Sequence, residues 1–157
     1  GVQVAVEHEA VSVDHLEQIT ETEIKLLVSS KTIPVGLPGC SFYLGIPYAP
    51  GRELLERGLP FALASDFNPG SSPLYDMQKI WSLACIKMKL SPQQALDAIT
   101  CNSAMAMDAG EEVGSIKVGQ RANLVILQKE IQNLSYVPYS FGENNIDKVM
   151  VYGEWVA

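Results

Sequence analysis

The chain has 157 residues, 47% of them hydrophobic and 18% charged, which excludes a disordered segment and suits one globular domain with at most a small appendage. Its net charge of −7, with eleven scattered Lys and Arg and no run of like charge, argues against nucleic acid or an anionic membrane as the main partner. No apolar run reaches the roughly eighteen residues of a membrane span, and three cysteines without a CxxC pair suit a reducing cytoplasm rather than a disulfide framework.

Residues 1–9 read as the end of a helix with no cap at its start, and Gly1 stands where a Met would open a chain. Val11-Ser12-Val13 follows as a short strand ending at Asp14-His15. Thr20-Glu21-Thr22-Glu23 is a capping-box sequence, so a helix opens there with Ile24, Leu26, Leu27 and Val28 as its apolar residues. Residues 32–37 form a second strand candidate in spite of Pro34, which cannot donate to a sheet ladder. A Gly-, Pro- and aromatic-rich stretch over 38–49 reads as a loop. Pro50 suits a first helical position and Gly58 the end of the short helix between them.

The run over 60–65 is apolar enough to be buried on both faces, as strands of parallel sheets are. Asp66 ends it, and the loop to Pro73 precedes a long helix with Met77, Ile80, Trp81, Ala84, Cys85 and Met88 on one packing stripe. Ser91-Pro92 opens another helix, and 104–107 form a third ending near Gly110. Beyond it the pattern changes: 113–120 and 122–127 read as two short strands around a turn. Residues 148–152 and 155–156 read as a terminal hairpin.

Alternating strands and helices predict an α/β fold with a parallel sheet. Three short apolar strands suit a barrel wall, and since a complete (β/α)8 barrel needs about 250 residues, three βα units are part of one. The predicted organisation is a partial barrel over 1–110 and a small antiparallel β tail over 111–157.

His15 and Asp66 each close a predicted barrel strand, where barrel enzymes place their active sites. A carboxylate at 66 could bind a divalent metal or serve as a base on an activated water; equally, Asp before Asn-Pro-Gly could cap the turn. His15 could ligate a metal, hydrogen-bond a developing oxyanion, or lie buried against a neighbouring carboxylate. Asn68, Gly70, Ser71 and Ser72 could offer donors to a carboxylate or carbonyl. With two histidines in all, one of them His8 on a solvated helix end, the chain cannot build a multi-histidine metal site alone. No GxxxxGK[ST] sequence is present, which disfavours nucleotides.

Ser12-Val13-Asp14-His15-Leu16-Glu17, Val35-Gly36-Leu37-Pro38-Gly39 and the stretch from Ala62 through Asp66-Phe67-Asn68-Pro69-Gly70 to Pro73 resemble imidazolonepropionase, in order and in spacing. So do Leu90-Ser91-Pro92-Gln93-Gln94-Ala95-Leu96 and Thr100-Cys101-Asn102-Ser103-Ala104. Residues 114–124 resemble the element with which many amidohydrolases return to a β-sandwich. The resemblance implies the C-terminal part of an amidohydrolase barrel, with a tail that belongs to a composite β-sandwich. It further implies a cytoplasmic, homo-oligomeric enzyme that hydrolyses 4-imidazolone-5-propanoate to N-formimidoyl-L-glutamate, using one Zn or Fe ion to activate the attacking water.

Within that resemblance Asp66 corresponds to the strand-8 metal ligand and proton acceptor, and His15 to the strand-6 histidine facing the reacting carbonyl. Asn68 and Gly70 correspond to product contacts and Ser71 to a substrate contact. The family's HxH pair and its strand-5 histidine do not occur here, so the remaining ligands are expected upstream and the isolated chain is expected to be inactive. Two other readings share these residues: a ring deaminase of the same superfamily, and a non-catalytic half-barrel that associates with itself through open strand edges.

Overall fold

Three parallel strands in the order β1-β2-β3 form the centre of a computed structural model that describes residues 1–156. They are β1 (Ser12–Val13), β2 (Ile33–Gly36) and β3 (Ala62–Leu63), paired in register as Ser12 with Ile33 and Val35 with Ala62. All of β2 and β3 is buried. Their side chains alternate between two apolar layers, as in a sheet covered on both faces. Ile33, Val35, Leu37, Cys40 and Ala62 form one layer, while Phe61, Leu63, Ile80, Trp81, Met88 and the helices beyond form the other.

Helix α1 (Val2–Glu7) precedes β1, and α2 (Glu21–Val28) joins β1 to β2. The Thr20 hydroxyl accepts from Glu23 N, and the Glu23 carboxylate accepts from Thr20 N at 2.8 Å, which is the expected capping box. After β2, residues 38–49 are not all loop as the composition suggests. Pro38–Leu44 form α3, opened by Pro38 at its first position and closed by Gly45 at φ +66°. The Gly and Pro read as breakers are this helix's two ends.

Helix α4 (Gly51–Glu56) has Pro50 as its N-cap rather than its first residue. Gly58, at φ +82°, lies one position past the Arg57 cap, where a left-handed residue ends a helix. The third strand is shorter than the apolar run over 60–65. Leu59 and Phe61 flank Pro60, which has no N–H to pair.

The long helix α5 (Met77–Lys87) starts with the Asp76 carboxylate accepting from Gln78 N, and α6 (Pro92–Ile99) starts with a second capping box at Ser91 and Gln94. Helix α7 (Cys101–Ala106) begins three residues before the predicted third helix. Its Asn102 and Ser103 side chains donate to Phe61 O at 2.9 Å and Leu63 O at 2.8 Å. Ala64 N donates to Gly36 O, so the carbonyls of Phe61 and Leu63 turn to the other side of β3. Two side chains of α7 therefore bond the carbonyls that β3 turns away from β2.

The tail holds one antiparallel sheet, β4 (Leu124–Leu127), β5 (Ile146–Val151) and β6 (Glu154–Trp155), in the order β4-β5-β6. The terminal hairpin forms with Met150 opposite Trp155, but Glu154, expected in the turn, pairs with Val151 as part of β6. The strand expected over 113–120 does not form. Gly114 and Gly119 both hold positive φ, and the Gln120 side chain ties the turn to Ser115 and Gly110 instead. An unforeseen short helix, α8 (Tyr136–Tyr139), packs on α5 and buries Val137 in the main core. No helix among the described residues is long and apolar enough to cross a membrane.

Candidate active site

Because β1, β2 and β3 are parallel, their C-terminal ends lie on one side of the sheet, and His15, Pro38-Gly39 and Asp66 follow them there. Both His15 (φ +56°) and Asp66 (φ +51°) sit in the left-handed region that most residues avoid. Such strain persists only where surrounding contacts impose it, and it gathers at functional sites. Here it turns the chain sharply off each strand and directs a polar side chain at the rim.

The loop after β3 is tied by Asn68. Its Oδ1 accepts from Gly70 N at 2.9 Å and Ser71 N at 2.8 Å, and its Nδ2 donates to Asp66 O at 2.6 Å. Asn68 N also bonds Ser72 O at 3.0 Å, and the buried Ser72 hydroxyl donates to Ser65 O at 2.6 Å. The turn is thus capped by Asn68, and the Asp66 side chain takes no part in capping it. Asp66 Oδ2 is instead buried without any hydrogen-bond partner. An orphaned buried carboxylate oxygen is costly enough to call for a partner the chain itself does not supply.

Asn68, Gly70 and Ser71 share this one loop with Asp66, and the Asn68 amide is already engaged within it. Gly70 is exposed, and a β-carbon there would meet only Asn68 Oδ1, at 3.4 Å, so its neighbourhood is open to a ligand. The first turn of α3, after β2, packs against this loop: a β-carbon on Gly39 would come within 3.0 Å of Ser72 Oγ and 3.1 Å of Ile80 Cδ1. Glycine at 39 lets the helix start and the loop after β3 close on each other.

His15 is not buried. Its side chain is 58% exposed, with Nδ1 3.7 Å from Glu17 Oε2, while the Glu17 side chain is 8% exposed and its Oε1 has no partner. Glu17 appears in the sequence only as the last residue of Asp-His-Leu-Glu; the two-residue spacing around buried Leu16 was the available sign of its link to His15. Cys40 is buried in α3. Its thiol pKa is pushed up, chiefly by burial. A buried thiol with a raised pKa stays an unreactive S–H.

Asp66 Oδ2 is the kind of atom a divalent cation satisfies, so the donor present fits a metal, as a single ligand. Among the described residues no group of three His, Cys, Asp or Glu could hold an ion. His8 is exposed on the C-cap of α1 and has no place in the site.

The sequence profile of the amidohydrolase family matches residues 9–156. Imidazolonepropionase of Christiangramia forsetii is 51% identical over 156 residues, and that of Flavobacterium johnsoniae 47% over 154. These alignments cover 99% and 98% of the chain but only 38% and 37% of the relatives' own lengths. The resemblance read from the strand-end motifs is thereby upheld over nearly the whole chain.

Among solved structures, a Xanthomonas campestris adenosine deaminase with bound zinc superposes with a TM-score of 0.82 at 26% identity, over 92% of this chain and 36% of that one. Escherichia coli guanine deaminase superposes with a TM-score of 0.78 at 17% identity, over 93% and 38%, a likeness of fold. A parallel β/α wall ending in a strained, loop-bound aspartate, matched by that profile and by those folds, places the chain in the amidohydrolase family.

Proposed function

We propose that this chain is the C-terminal part of an imidazolonepropionase, and that it contributes half of the site that hydrolyses 4-imidazolone-5-propanoate to N-formimidoyl-L-glutamate. The observation that carries the reading is Asp66: a strained, half-buried carboxylate with an unpartnered buried oxygen at a strand end, in a loop whose turn is held by another residue. Identity of 51% to a named imidazolonepropionase against 26% to a deaminase favours the cyclic amide over a ring C=N bond as the target.

One divalent ion, Zn or Fe, when bound, lowers the pKa of water and polarises the carbonyl. Asp66 is its ligand from this chain, and the other ligands come from residues outside it. The Asp66 carboxylate, which takes no part in capping its own turn, accepts the proton of the attacking water. His15 faces the reacting carbonyl and hydrogen-bonds the oxygen as charge gathers on it. Asn68 holds the loop in shape and donates to the Ser71 hydroxyl at 3.0 Å, which together with the open flank at Gly70 meets the substrate's polar groups. Water adds across the ring's C–N bond, the bond breaks, and the proton taken by Asp66 passes to the departing nitrogen.

The tail sheet is, in the same reading, one portion of a composite β-sandwich. Val125, Ile126, Val151 and Trp155 are 55%, 39%, 38% and 57% exposed on it, which suits a sheet covered by another. The whole protein is read as a cytoplasmic homo-oligomer, with the partial barrel over 1–110 and the sandwich portion over 111–157. Turnover of imidazolonepropanoate by the full-length protein, set beside guanine, adenosine and cytosine, tests the assignment. Hydrolysis of the first alone is expected, and ammonia release from a nucleobase or nucleoside would replace it with the deaminase reading. In the same assay D66N is expected to lower kcat/KM by roughly three orders of magnitude or more and to reduce bound metal.

A further inference from the structure

The Glu17 carboxylate has a buried charge and no donor committed to it. Its side chain is 8% exposed, Oε1 is unpartnered, and among the described residues its ion-pair partner is His15 alone. A carboxylate in such a place is retained at a cost unless a proton-bearing group answers it. His15 is the opposite case: 58% exposed, at φ +56°, and among the described residues the ring's one recorded polar contact is Glu17 at Nδ1. Leu16, buried to 1% exposure, pins the backbone between them and sets both side chains off one anchored residue.

We propose that Glu17 is the positioning residue for His15: it accepts the Nδ1–H, fixes the ring's rotation and tautomer, and leaves Nε2 as the nitrogen presented at the strand ends. The inference rests on the reading of His15 as the group that faces the substrate carbonyl. The 3.7 Å separation is an ion-pair contact, and a small rotation of the exposed ring shortens it to a hydrogen bond; such contacts tighten when substrate binds. A neutral imidazole carries one N–H. Once Nδ1 holds it, Nε2 becomes a donor only in the doubly protonated ring, and Glu17 supplies the counter-charge of that state. Without Glu17 the ring is free to rotate and to move its proton to Nε2, and the carbonyl meets a poorly aligned group.

Two-bond 1H–15N correlation spectra read the tautomer directly, and with two histidines in the chain the exposed His8 serves as internal reference. The expected result is Nδ1–H on His15 in the unsubstituted protein, Nε2–H in E17L, and Nδ1–H kept in E17Q, whose amide oxygen still accepts. In the full-length enzyme E17L is expected to lower kcat roughly tenfold or more with KM changed much less, and E17Q to recover most of it. Nε2–H on His15 in the unsubstituted protein, or a tautomer unmoved by E17L, overturns the proposal. If E17L does not fold, the unsubstituted spectrum and E17Q still decide it. Should H15A leave turnover intact while the tautomer follows Glu17, the functional reading of His15 fails and the structural link stands.

Discussion

At Asp66 and Asn68, two neighbouring polar residues have divided the labour that either could have done alone. Asp before Asn-Pro-Gly is a common turn-former, and only the hydrogen-bond pattern separates the capping role from the ligand role. Asn68 takes the backbone N–H groups of Gly70 and Ser71, which releases the Asp66 carboxylate. N68A removes the side-chain bonds to Asp66 O, Gly70 N, Ser71 N and the Ser71 hydroxyl at once, and the loop is expected to lose about 1–3 kcal/mol of stability, read as a lower urea midpoint. An unchanged midpoint would show that Ser72 and its bond to Ser65 hold the loop without Asn68. Asp66 was legible in sequence by its position at the end of an apolar run, and so was His15. The orphaned oxygens, the left-handed φ values and the buried state of Glu17 were not, because they depend on how loops from three strands pack.

Among the elements, those with local chemical signatures were the readable ones. Both capping boxes, at Thr20 and Ser91, and the terminal hairpin form where the residues require them. Helix α3 was hidden because its Pro and Gly sit at its two ends, and the expected 113–120 strand gave way to a turn tied by Gln120. Gly36 is a case where packing alone explains the residue. A β-carbon there would collide with the Phe61 ring and come within 3.1 Å of Met88 Cε, so G36A is expected to cost about 1–3 kcal/mol by denaturant unfolding.

Helices α2 and α4 are joined by Arg57, which donates to Glu21 at 2.8 and 2.6 Å and to Glu53 at 2.8 Å. The Arg57 hydrogen bonds lower the Glu21 pKa, and the Thr20 backbone and hydroxyl bonds lower that of Glu23. Carboxylates depressed in the folded state stabilise it fully above their unfolded pKa, and the gain is lost as pH falls through the folded values. The thermal midpoint of the unsubstituted protein should therefore exceed that of R57M at neutral pH and converge with it below about pH 4. Because these groups are exposed, added salt should shrink the gap as well. A gap that stays constant down to acid pH would show that Arg57 acts through its apolar stem rather than its charge.

For the molecule as a whole, the fold class was readable because alternation of buried strands and helices leaves few topologies open, and the fold likenesses agree with it. What sequence could not give was the packing of α8 onto α5, which joins part of the tail to the barrel core. Nor could it show that Asn102 and Ser103 bond the carbonyls on the outer side of β3. The chain spans 38% of the length of its C. forsetii relative and presents one carboxylate suited to a metal, so the central claim is that it holds half of a site. Hydrolysis of 4-imidazolone-5-propanoate by the purified 157-residue chain with added Zn²⁺, beside the full-length protein, tests that claim most directly. Turnover by the full-length protein and none by the chain is the predicted result; turnover by the chain alone would contradict it.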